Sequence, residues 1–183
     1  AYAELIRVSE NPFTDVKEGD YFYDAILWAV KADIAKGTSA TTFEPAWICT
    51  RGQMVTFLYR AAGEPAVTAK ECVFTDVAAN AYYYNAVLWA VEKGITYGVS
   101  ATEFAPEEPV TRGQVVTFLY RYAGEPGVSN KITFTDVAEG EYYYNAVLWA
   151  LGTGITNGVS ATEFAPKEGC TRGQIVTFLY RAR

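Results

Sequence analysis

Histidine is absent from the 183 residues, methionine occurs once and cysteine three times. Without histidine or a CxxC pair, a zinc site and a His-dependent catalytic triad are excluded, and neither a metal nor a cofactor is expected. Basic residues are also short: 15 Lys and Arg stand against 21 Asp and Glu, a net charge of −6. That balance argues against nucleic acid and against an anionic membrane surface, because a basic face is needed to displace counterions. Any recognition of an anion has to be local. No apolar run of about 18 residues exists, so no membrane-spanning helix is expected, and Ala1-Tyr2-Ala3-Glu4 carries no basic-then-apolar leader. The first residue is not methionine, so the chain is expected to be a processed product or a piece of a longer protein.

The cysteines form no framework. Cys49 and Cys170 stand at matching places, where Val110 stands in between, and Cys72 lies in a linker. Small buried residues are the preferred reading over a Cys49–Cys170 bridge, since symmetry-related positions seldom lie within bridging distance.

What the sequence does have is repetition. Thr-Arg-Gly-Gln occurs at Thr50–Gln53, Thr111–Gln114 and Thr171–Gln174, each copy running into an apolar-periodic segment that ends in arginine: 55–60, 116–121 and 176–181. Threonine as N-cap and glutamine three residues on predict a capping box, hence a helix start. The arginine between them opposes the helix macrodipole, so an anion is expected close by. Two candidates are a ligand and an acidic loop residue such as Glu103 or Glu108 near Arg112. Glycine at the second helical position (Gly52, Gly113, Gly173) lowers helix propensity, which implies crowding by a neighbouring repeat or an approach path for ligand.

Phe-Thr-Asp-Val recurs at 13–16, 74–77 and 134–137 and sets a repeat of about 60 residues. A helix follows in each, apolar on more than one face (Ala86, Val87, Leu88, Trp89, Ala90), which predicts a central position and closure about a pseudo-threefold axis rather than an open solenoid. Glycine stops it at Gly94 and Gly154, whereas Asp33 takes that place in the first repeat and needs either another turn or a left-handed backbone. The next loop is nearly verbatim at 98–106 and 158–166, with 37–45 as its first copy. Its phenylalanine is expected to anchor the loop in the core. Its glycine supplies a positive φ or admits something close to the backbone. The second helix stops at Ala-Gly-Glu-Pro, 62–65 and 123–126, and linkers of roughly ten residues keep the repeats in contact. The organisation is a lead-in at 1–12 and repeats at 13–63, 74–124 and 134–183, an all-α chain of three helix-loop-helix units.

Phe-Thr-Asp-Val, the aromatic and small-residue helix, Gly-Ile-x-x-Gly, Phe-x-Pro and Thr-Arg-x-Gln, in that order three times over, closely resemble the S-layer homology repeat. The resemblance implies a compact helical spindle with ligand grooves between neighbouring repeats. It implies an extracellular module, a monomeric pseudo-trimer without membrane insertion, that attaches a surface protein to the bacterial cell wall by binding a peptidoglycan-linked secondary polysaccharide. Terminal N-acetylmannosamine carrying a pyruvate ketal is the usual ligand. The family's anion-binding arginine maps to Arg51, Arg112 and Arg172, and its loop glycine to Gly37, Gly98 and Gly158. Gly for Ala and Gln for Glu in the arginine motif depart from the family pattern and bear on the ligand more than on the fold.

A ketal-linked carboxylate suits a guanidinium, and free first-turn amides would add to its binding. The arginines are read as exposed, so Arg112→Ala is expected to spare the fold. Trp28, Trp89 and Trp149, at helical spacing, are read as core, and Trp47, unique to the first repeat, as a wall of one groove. The first repeat also differs at Lys36, which faces Tyr97 and Asn157 in the alignment of repeats, so a groove bordered by it is expected to differ in affinity. Two other classes are weighed. A glycosidase needs a unique carboxylate pair, and Asp15, Asp76 and Asp136 instead repeat within the Phe-Thr-Asp-Val phrase. A helical-repeat scaffold for proteins, or the anchoring part of a larger enzyme, is the remaining alternative.

Overall fold

The computed structural model describes residues 11–129 and 131–183, so all but the end of the expected lead-in lies outside the described residues. It holds six helices: α1 (Tyr23–Lys31), α2 (Arg51–Ala61), α3 (Tyr84–Glu92), α4 (Arg112–Tyr122), α5 (Tyr144–Gly152) and α6 (Arg172–Arg181). Each repeat supplies two, and the chain is all-α as expected.

The second helices start where the sequence says. In α2 the Gln53 amide donates to Thr50 Oγ1 at 3.2 Å and the Thr50 amide to Gln53 Oε1 at 3.0 Å, and the same box closes α4 and α6. Glutamine thus completes both halves of the capping box. The first helices have no side-chain cap. They end in a left-handed residue, Gly94 (φ 66°), Gly154 (φ 76°) and, in the first repeat, Asp33 (φ 57°). Asp33 therefore makes the same turn as the glycines, its short polar side chain tolerating a conformation most residues avoid.

The packing corrects one expectation. The helices that meet around the axis are α2, α4 and α6, not the first helices. Each first helix lies outside and packs on the second helix of the preceding repeat: α3 on α2, α5 on α4, and α1 on α6. Its all-round apolar surface serves a layered position, as when Trp89 is covered by Tyr59 and Tyr122 at ring separations of 5.4 and 5.7 Å. The α1–α6 contact joins the first repeat to the last, so the ring closes and no apolar end is left open.

At the axis the residues just before each cap form a backbone triangle. The Cys49 amide donates to the Cys170 carbonyl at 3.0 Å, Cys170 to Val110 at 2.8 Å, and Val110 to Cys49 at 2.9 Å. All three side chains are fully buried. Symmetry-related positions are here immediate neighbours, contrary to the expectation, yet the cysteines are free thiols. Burial raises the Cys49 and Cys170 thiols to about 12.

Candidate functional site

The loop after each first helix is built by one aspartate. Asp76 Oδ1 accepts from the Phe104 amide at 2.9 Å and Oδ2 from the Ala105 amide at 2.7 Å; Asp136 does the same for Phe164 and Ala165, and Asp15 for Phe43 and Glu44. The repeated aspartates are thus structural, as the sequence indicates. They hold Phe43, Phe104 and Phe164 fully buried, the expected anchors. The loop glycines close the turn. Gly98 has φ +81°, and a Cβ there would lie 2.5 Å from both the Glu103 carbonyl and the Phe74 ring. Gly158 repeats this geometry. Gly37 lacks the positive φ, and a Cβ there would meet the Ser39 carbonyl at 2.5 Å.

The anchored loop presents its phenylalanine carbonyl to the arginine of the preceding repeat. Arg51 Nε donates to Phe104 O at 2.8 Å, Arg112 Nε to Phe164 O at 2.8 Å, and Arg172 Nε to Phe43 O at 2.9 Å. Each guanidinium also lies over that phenylalanine ring, 4.5 to 4.7 Å from its centroid, and near a second ring on the neighbouring repeat's helix: Phe118, Phe178 or Phe57. The sequence reading expected exposed arginines, and the structure corrects it: Arg51, Arg112 and Arg172 are 3%, 3% and 7% accessible. Among the described residues none of them has a carboxylate partner; the ion pairs are Lys36–Asp33, Arg60–Glu64 and Arg121–Glu125. The bridge to Glu103 or Glu108 is thus absent. Burial pulls all three below the ordinary arginine value, with only weaker opposing influences such as Tyr142 and Asp76 on Arg51. A guanidinium keeps its charge even so.

The helix termini themselves offer nothing to an anion. The Arg51 and Gly52 amides donate to the carbonyls of Glu108 and Pro106 at 2.9 and 2.8 Å, and the other two copies are paired the same way with the next repeat. This corrects the expectation of free first-turn amides, because inter-repeat packing uses them. The glycine beside each arginine follows from the same packing. A Cβ on Gly52 would meet Tyr83 at 2.8 Å and the Pro106 carbonyl at 3.1 Å, and Gly113 and Gly173 are crowded likewise. Crowding, not ligand access, explains them.

Each buried guanidinium faces a surface groove to which all three repeats contribute, not two. The first, about 370 Å³, joins Arg51 to the loop residues Tyr97 and Gly98, to Gln114 and Arg121 of α4, and to Tyr142 of the third repeat. The second, about 400 Å³, joins Arg112 to Asn157, Gly158, Gln174, Arg181 and Tyr21. The third, about 230 Å³, joins Arg172 to Lys36, Gln53, Arg60 and Tyr82. Gly98 and Gly158 thus share grooves with an arginine, whereas in the third groove Lys36 and not Gly37 forms the wall. Trp47 lines none of the three; it is 58% exposed and contributes its carbonyl to the Arg172 amide at 2.8 Å.

Two residue sets escaped the sequence reading. Arg60, Arg121 and Arg181 add a second cation to each groove and are held by the carbonyls of Ile34, Ile95 and Ile155. Their signal is the polar stripe Gln53, Thr56, Arg60 at i, i+3 and i+7 of a helix that is otherwise apolar. Tyr21, Tyr82 and Tyr142 supply an exposed aromatic wall, each set edge-on against the next residue's ring at 4.9 to 5.0 Å. Their signal is an aromatic placed ahead of a helix with no buried face of its own.

Among the described residues no helix is long and apolar enough to cross a membrane. A family model, the S-layer homology domain, matches residues 12–55, 73–116 and 133–176. Among curated relatives, the surface-layer 125 kDa protein of Lysinibacillus sphaericus is 30% identical over 160 residues, 85% of this chain and 13% of that protein. An endoglucanase of Bacillus sp. (strain KSM-635) is 36% identical over 110 residues, covering 60% of this chain and 11% of the enzyme. A cell surface protein of Thermoanaerobacter kivui is 33% identical over 114 residues, 60% of this chain and 15% of that protein. The chain therefore spans less than a sixth of the length of these relatives. With the family model matched in three tandem copies over most of its residues, the chain belongs to the S-layer homology domain family.

Proposed function

We propose that this module anchors a larger surface protein to the bacterial cell wall, non-covalently, by taking an anionic secondary cell-wall polysaccharide into its grooves. Its place is the cell surface, in keeping with its family and with the surface proteins it resembles. One observation carries the ligand chemistry: three guanidiniums are buried without a carboxylate, each at the base of a groove. A buried cation compensated only by one carbonyl bond and aromatic rings is still costly, and an incoming anion relieves that cost in a setting where the attraction is less screened than in water. A carboxylate such as that of a pyruvate ketal matches the guanidinium's planar donors. The hydroxyl-rich remainder of a sugar meets glutamine, threonine and tyrosine. Among the described residues no carboxylate lines any of the three arginine grooves, which suits the binding of an anion.

The test is retention on purified sacculi before and after extraction of the secondary polymer. Binding lost on extraction, with peptidoglycan intact, supports the reading. Equal retention on extracted sacculi overturns it.

A further inference from the structure

Linkers after Gly63 and Gly124 join the first repeat to the second and the second to the third, but the third repeat meets the first with no chain between them. That seam is closed by the packing of α1 on α6 and by hydrogen bonds from the Arg172 and Gly173 amides to the Trp47 and Pro45 carbonyls at 2.8 and 2.9 Å. The two buried cysteines lie one on each side of it. Cys49 belongs to the first repeat and Cys170 to the third, while the second repeat, already tied to both by linkers, has Val110 in their place.

The backbone sets the register of the pair. Ile48 stands opposite Thr171 in an antiparallel bridge, so the adjacent residues Cys49 and Cys170 are directly opposed as well, and the Cys49 amide donates to the Cys170 carbonyl at 3.0 Å. Opposed residues linked in this way have Cα atoms about 5.5 Å apart and side chains on one face. A disulfide needs a Cα separation of roughly 4.4–6.8 Å, so the bridge fits the backbone as it stands. Both thiols are fully buried at the axis, and rotation about χ1 is the movement left to make.

We propose that Cys49 and Cys170 form a disulfide that closes the ring of repeats covalently across its one unlinked seam. Valine in the second repeat leaves a single pairing at the axis, and Cys72, half-buried in a linker, stands apart from it. The bond forms while the ring is still open, because in the closed ring the thiols are sealed from solvent and stay protonated. The Cys49 thiolate attacks an external disulfide, such as oxidised glutathione, and releases one thiolate. The Cys170 thiolate then attacks the Cys49 sulfur of the mixed disulfide and releases the second. Two protein thiols become one cystine, the external disulfide becomes two thiols, and the protons given up by the cysteines end on them. Closure of the ring then shields the bond from reductants, and the cell surface is a compartment where disulfides persist.

The reduced, urea-unfolded chain is refolded with a glutathione redox couple and, in parallel, with dithiothreitol. The first product is expected to be lighter by two hydrogen atoms, to give a Cys49–Cys170 linked peptide on digestion, and to offer Cys72 alone to iodoacetamide after unfolding. It is expected to melt roughly 10 °C above the dithiol form, the stabilisation that closing so long a loop gives a chain of this size. Cys170→Val, which gives the third repeat the residue of the second, gains nothing from the redox couple. Cys72→Ser lies outside the axis and keeps both the link and the rise, so the test stands even if Cys170→Val fails to fold. A link through Cys72, glutathione adducts in place of the link, or an oxidised chain that melts no higher than the reduced one overturns the proposal.

Discussion

Arg51 Nε donates to the carbonyl of Phe104, 53 residues further along the chain, at 2.8 Å. The bond crosses from the first repeat to the second, and its two counterparts complete the circuit through the third repeat back to the first. The same side chain that gives the groove its charge therefore also ties the repeats together. On the proposed groove reading, fold and binding share one residue.

That double role changes the expected effect of removing it. Arg112→Ala leaves the Phe164 carbonyl buried without its donor and strips a cation from two aromatic rings, so it lowers stability by roughly 1–3 kcal/mol. Urea unfolding with an unchanged m-value reads this directly. Arg112→Lys keeps a charge but loses the fixed fork and falls between the two.

Gly113→Ala raises intrinsic helix propensity, yet it is expected to destabilise. The added Cβ would stand 3.0 Å from both the Pro166 carbonyl and the Tyr143 ring, one of them backbone that cannot step aside. Overpacking of this kind costs about 1–3 kcal/mol, against at most about 1 kcal/mol gained in propensity. Thermal melting of the variant decides which effect wins.

Asp76→Ala is expected to loosen the loop and the groove together. The carboxylate caps the amides of Phe104 and Ala105, and Ala105 is held at φ 56°, a conformation that alanine does not favour by itself. Loss of two charge-assisted bonds amounts to about 2–4 kcal/mol. Hydrogen exchange at the Phe104 and Ala105 amides reports it, and the Arg51 groove loses affinity in parallel because its guanidinium rests on the displaced carbonyl.

The three thiols should separate cleanly. Cys49 and Cys170 are buried and raised to about 12, whereas Cys72 is half-buried. Raised thiols stay protonated, and the thiolate is the reactive form. Iodoacetamide at pH 8 is expected to modify the native chain once, at Cys72, and the unfolded chain three times. Mass spectrometry counts the additions.

Local chemistry was the legible part of this chain. The capping boxes, the left-handed Asp33 and the anchoring phenylalanines follow from side chains acting on their own backbone neighbourhood. The layer order was not legible, because an all-round apolar helix such as α3 looks the same from sequence whether it lies on the axis or is roofed by Tyr59 and Tyr122. Nor was the burial of Arg51: its partner is a backbone carbonyl, which leaves no mark in residue type. Trp47 misled for the converse reason. Its side chain stands out in the sequence, but what the fold uses is its carbonyl.

The claim that a buried, unpaired guanidinium is the anion receptor is tested most directly by titrating the wild-type chain with pyruvylated N-acetylmannosamine glycoside and with its uncharged parent. Charge-assisted hydrogen bonds of about 1.5–3 kcal/mol predict a preference of roughly tenfold or more for the acid. Equal affinity for the charged and uncharged sugars would contradict the account.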